Sequence, residues 1–133
     1  MLPKLNGKQA GFTLVEIMLV LTIITLLASI AVPTIFRARK RTQASHVLQD
    51  LRLLDSAVDQ YAIETNKGSG FNMDFSDLQN YIKIGTRLYT SGGTDILGVS
   101  FGTFTVDTHP KVPAATFTAL SDVAPAGFWS PYK

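Results

Sequence analysis

The sequence predicts an α+β chain. A long N-terminal α-helix leads, with a membrane-spanning first half and an amphipathic second half, and it packs on a small C-terminal head with a short antiparallel sheet. Three observations predict this. Residues Phe12 to Phe36 form an apolar run of 25 residues in which Glu16 is the only charged one. Residues 37–67 keep a helical repeat but confine apolar side chains to one face. Residues 68–133 break into short segments separated by glycine and proline.

The apolar run comes first. A membrane span needs roughly 20 apolar residues, and this run as a helix would be about 38 Å long against a hydrocarbon core of about 30 Å. No stretch of matching apolarity elsewhere in the chain can cover it as a buried core helix. It is also longer than the apolar middle of an ordinary secretory signal, which is about 7–15 residues. The nearest small-residue cleavage site at its far end is "LLASIAVP", near Ala31. The more telling small residue is Gly11, before the run. A cut there removes Lys4 and Lys8, leaving ten basic residues against ten acidic ones.

Gly11-Phe12-Thr13-Leu14-Val15-Glu16, after a short basic leader and before an unbroken span, resembles the processing motif of type IV pilins and type II secretion pseudopilins. The resemblance covers residues 1 to about 67. It implies that residues 1–11 are a leader cut after Gly11 by a membrane prepilin peptidase, and that the new N-terminal Phe12 is N-methylated. It places Glu16 fifth in the mature chain, where it would guide assembly by meeting the Phe12 amine of a neighbouring subunit. Pro33 falls where the family carries a proline.

Elementary electrostatics fits that role for Glu16. A free amine on Phe12 is cationic and sits at a helix end that already carries about half a positive charge. Two positive features in lipid need an anion, and an ionisable group inside a span is a functional candidate by default. Pro33 has two readings from the residues. Proline removes one helical hydrogen bond and crowds the preceding turn, so the helix either ends near Val32 or kinks and continues. The resemblance favours the kink.

Residues 37–67 continue the helix. Val47, Leu51, Leu54, Val58 and Tyr61 recur in steps of four and three, which is one face. His46, Gln49, Asp50, Arg52, Asp59 and Gln60 fall mostly off that face, and Arg52 can pair with Asp55. Lys67-Gly68-Ser69-Gly70 is the expected stop. Arg37, Arg39, Lys40 and Arg41 follow the span directly; the cluster reads first as a solvated face, and otherwise as one able to touch phosphate headgroups or, in an uptake filament, to bind DNA. Four basic residues there, with two lysines before the span, would place the head in the cytoplasm by positive-inside counting. The family has the head outside, because the leader must meet a cytoplasm-facing peptidase, and that topology is adopted here against the charge count.

In the head, Ser76-Asp77-Leu78-Gln79 has a capping-box pattern before a helix carrying Leu78, Tyr81 and Ile82, with Gly85 as its end. Residues 90–95 read as a turn or loop. Val99 to Val106 alternates and reads as a strand. Residues 107–110 form a turn. Residues 114–123 fit either a strand or a short helix opened by Pro113. Phe128 and Trp129 of the tail are expected to pack on the head.

No enzymatic motif appears. His46 and His109 stand alone, and Gly92-Gly93 lacks the lysine of a phosphate loop. Asp95, Asp107 and Asp122 offer carboxylates to calcium but follow no ligand-loop spacing, so no metal site and no cofactor is assigned. A net charge of +2 does not call for nucleic acid.

The resemblance then implies a structural subunit, a homo-oligomer in a helical filament, with the prepilin peptidase/N-methyltransferase, an inner-membrane assembly platform and the lipid bilayer as partners. Its place is the bacterial inner membrane, single-pass, followed by a periplasmic or surface filament. A small head without a cysteine-closed loop leans towards a major pseudopilin. The alternatives are a true type IV pilin or a DNA-uptake or competence pilin, or a membrane-anchored globular protein with a separate binding role.

Overall fold

The computed structural model describes Pro3 and residues 11–133. The leader reading falls mostly on residues outside these, Lys4 and Lys8 included. The chain divides into two units, residues 1–36 and residues 37–133.

Helix α1 is Leu14–Thr65 and includes Pro33, so it does not end near Val32. Pro33 has no N–H to give the Ser29 carbonyl. Ser29 and Thr34 hydroxyls meanwhile donate to the carbonyls of Leu26 and Ile30, at 2.6 and 3.1 Å. Within the first unit every described apolar side chain from Phe12 to Phe36 is exposed. This helix is long and apolar enough to cross a membrane.

The second unit has its own core. Ala44, Val47, Leu51, Leu54, Ala57 and Val58 of α1 are buried against Met73, Leu78, Leu88, Phe104, Leu120 and Trp129. Tyr61 is half-buried and stacks edge-on against Tyr81 with ring centres 5.9 Å apart. The helix stops two residues before the expected position. Asn66 takes a left-handed φ of 52° and the Lys67 N–H reaches the Ala62 carbonyl at 3.0 Å. That is a Schellman closure with asparagine in the place usually taken by glycine.

The sheet is smaller than the alternation suggested. Strand β1 (Asn72–Met73) pairs antiparallel with β2 (Phe104–Thr105), Asn72 opposite Thr105 and Met73 opposite Phe104. Residues 99–103 are not strand, because Asp95 gathers that backbone into a loop. Its carboxylate accepts from the N–H groups of Leu97 and Val99, both at 2.9 Å, and from the Thr116 hydroxyl. A single bridge joins Thr94 to Ser100.

The helices differ from expectation in detail. Helix α2 (Phe75–Leu78) is capped by Asp74 with Asp77, two residues earlier than the Ser76 pattern placed it. It tightens to a 3-10 turn over Gln79–Tyr81, and Ile82 is already extended, so Gly85 does not end it. Helix α3 (Arg87–Ser91) lies partly where a loop was expected. The Thr86 hydroxyl caps it by accepting from Tyr89 N–H at 3.3 Å, and Gly92 closes it at φ 69°. Gly93 must be glycine, because a Cβ there would stand 2.5 Å from Cγ of Phe75. Residues 114–120 resolve as helix α4 (Ala114–Leu120) with Pro113 at its cap. In the tail Trp129 is fully buried while Phe128 stays partly exposed.

Candidate functional site

Thr13 and Glu16 open α1 as a reciprocal pair. The Thr13 N–H donates to Glu16 Oε2 at 3.1 Å, and the Glu16 N–H donates to the Thr13 hydroxyl at 3.2 Å. This is a capping box, which satisfies two N–H groups at the start of the helix. The sequence reading gave Glu16 a charge role only and missed Thr13. The threonine three residues before a glutamate was the available signal. Phe12, Glu16, Ile17, Val20 and Leu21 line a shallow groove, apolar except for the carboxylate. Gly11 is exposed, and a Cβ built there would meet no atom within 4 Å.

The other candidates scatter. His46 is exposed. His109 does not stand alone: its Nδ1 lies 3.0 Å from Asp55 Oδ2, and the Tyr132 hydroxyl lies 3.4 Å from the same oxygen. Asp55 therefore faces the tail, not Arg52, because the helix packs with that side against residues 109–132. Burial and the neighbouring Asp55 charge push the Tyr132 hydroxyl up. Asp95 spends its carboxylate on the loop and Thr116, Asp122 pairs with Lys40 at 2.9 Å, and Asp107 sits in a turn at φ 63°. The three aspartates expected as possible calcium ligands are thus distributed over separate contacts. Among the described residues no three His, Cys, Asp or Glu side chains gather into a metal cluster.

Asp50 was expected on the solvated side of α1, yet it is buried and ion-paired to Arg87 of α3. Burial pushes its carboxyl above the usual range, against the lowering pull of Arg87. A carboxyl raised in the folded state favours folding most below its unfolded value of about 3.9, and that contribution is lost as pH rises through the folded value. Arg87→Ala removes the lowering influence and leaves the acid unpaired. We expect a loss of about 1–3 kcal/mol near neutral pH, shrinking as the pH falls towards about 4. Urea melts of the detergent-solubilised chain at both pH values check this, and an equal deficit at each would contradict it.

The family described as the prokaryotic N-terminal methylation motif matches residues 6–32. Among curated proteins, the chain is 37% identical over 61 residues to the type II secretion system core protein G of Escherichia coli, covering 46% of this chain and 42% of the relative. The same protein of Vibrio cholerae is 34% identical over 59 residues, 44% of this chain and 40% of the relative. The type IV major pilin protein PilA of Myxococcus xanthus is 34% identical over 68 residues, 51% of this chain and 31% of the relative. The matched stretches span less than half the length of these relatives. No solved structure matches the chain significantly. The chain carries a prokaryotic N-terminal methylation motif over residues 6–32 and has relatives among the type II secretion core proteins G and the type IV major pilins.

Proposed function

We propose that the chain is a structural subunit of a type II secretion pseudopilus, made as a prepilin, cleaved after Gly11 and N-methylated on Phe12. The observation that carries this is the fully exposed apolar segment 12–36 with one acid, Glu16, five positions after the accessible glycine. Exposed apolar surface on that scale demands lipid or other copies of itself. A subunit that waits in the bilayer and then bundles with its neighbours uses both. Its work is mechanical: the apolar helices pack side by side and the heads form the surface.

In this reading the membrane-resident subunit spans the bacterial inner membrane once with its head outside. Its partners are the prepilin peptidase/N-methyltransferase, an inner-membrane assembly platform, the bilayer and further copies of the chain. The similarity to a type IV major pilin supports a second reading, a subunit of a true pilus that leaves the cell surface.

Processing is the test. Intact-mass analysis of material from native cells is expected to show a chain beginning at Phe12 and heavier by one methyl group. A start at Met1 or near Ala31 would sink the proposal.

A further inference from the structure

The four basic residues after the span remain to be accounted for. Lys40 pairs with Asp122 at 2.9 Å and the Arg37 charge acts on that carboxylate from further off, while Arg37, Arg39 and Arg41 have no carboxylate within 4.0 Å among the described residues. The Lys40–Asp122 pair ties the segment after α4 to α1. Beside it lies a groove of about 470 Å³. It is lined by Arg41, Thr42, Ala44 and Ser45 of α1 and by the apolar Val123, Pro125 and Phe128 of the tail, with the Thr42 hydroxyl donating to the Ala38 carbonyl at 3.1 Å. Phe128 keeps 36% of its surface exposed there.

A cation beside apolar side chains matches the boundary between lipid headgroup and acyl chain. Arg41 comes five residues after Phe36 in sequence. If the head lies outside, as in the function proposed above, on which this inference rests, the basic run emerges at headgroup level. Flanking segments that cross the membrane are ordinarily poor in Lys and Arg. Keeping four such residues opposes that bias, so they should answer a negative charge on that side. Val123 and Pro125 give a nucleic acid no ring face to stack on, whereas acyl chains can use all three apolar side chains. We propose that Arg41, with its basic neighbours, binds the phosphodiester headgroup of an anionic phospholipid in this groove while the subunit resides in the membrane.

The test uses the full chain in nanodiscs of phosphatidylcholine containing a minor share of phosphatidylglycerol. Native mass spectrometry reads which lipid the released chain retains. Retention should favour phosphatidylglycerol. Arg41→Gln should lower that preference about fivefold, since each basic group near an anionic surface contributes on that scale. Arg41→Lys should keep most of it, and Arg52→Gln should not change it. Arg37→Gln, four residues before Arg41 and so on the same helix face, checked for native fold by circular dichroism, is the second variant should Arg41→Gln fail to fold, and it should also weaken the preference.

Equal retention of both lipids, or a preference untouched by these variants, overturns the inference. So does a preference abolished by millimolar inorganic phosphate, which would indicate a site for free anions. So does protection of the groove by a second copy of the chain without lipid. Carbonate extraction of membranes from native cells separates the failures. A chain that resists extraction yet ignores phosphatidylglycerol removes this inference alone, whereas an extractable chain removes the filament-subunit reading with it.

Discussion

Glu16→Gln is expected to insert in the membrane and be cleaved after Gly11, yet fail to enter filaments. Glutamine keeps the size of the side chain and can still accept from the Thr13 N–H, so the capping box survives. Only the charge is lost. For a simple anchor that loss is neutral or helpful, because an acid in lipid costs a few kcal/mol. In a filament it leaves the Phe12 amine of a neighbour without its partner, at about 3–5 kcal/mol for a broken buried pair. Association then falls by more than about a hundredfold, since each 1.4 kcal/mol is tenfold. Membrane fractionation combined with negative-stain imaging of sheared material reads both halves of the expectation. A normal filament yield would remove the assembly role of Glu16. Thr13 refines the picture: before cleavage the carboxylate has a local N–H to accept, so it need not stand bare in the bilayer.

Trp129→Ala should be the most damaging single change in the second unit. The indole is fully buried, donates from Nε1 to the Ala124 carbonyl at 3.1 Å, and meets Phe128 edge to face with centres 5.1 Å apart. It also anchors the tail, because the Trp129 carbonyl accepts from Tyr132 N–H and the Tyr132 carbonyl accepts from Val112 N–H at 2.7 Å. Truncation of a buried tryptophan costs about 3–5 kcal/mol. A small unit without disulfides has little to spare, so its melting temperature should drop by more than about 10 °C. Trp129→Phe, which keeps part of the buried area, should fall between the two. Thermal melts followed by circular dichroism decide this, and a loss under about 1 kcal/mol would mean that the tail is not part of the core.

Local pattern was enough for the first half of the molecule. The span and the stripe Val47, Leu51, Leu54, Val58 and Tyr61 follow from run length and from the 3.6-residue repeat; the first four stripe residues are buried and Tyr61 is half-buried. Such signals are local, so one sequence displays them. The sequence also marked the turn at residues 107–110 and the burial of Trp129. It overextended the strand at residues 99–106, because the alternation of apolar side chains there is as compatible with a loop as with a ladder. What chose the loop was the Asp95 carboxylate, with Thr116 behind it from a helix 21 residues further on.

The sequence by itself determined that this chain has a membrane-length apolar helix, an acid five positions after the glycine that precedes it, and an amphipathic continuation. Those properties depend on neighbours one to four residues away, where helix geometry fixes the outcome. Only the tertiary structure decided the polar partners: Asp50 with Arg87, Asp55 with His109 and Tyr132, Lys40 with Asp122. Each joins groups 37 to 82 residues apart. An acid on a helix has no local preference among distant cations, and its position at the edge of the apolar stripe leaves it open to either solvent or core. Packing of the head segments on α1 settles that choice, because it removes water from one side of the helix and brings a particular cation within reach.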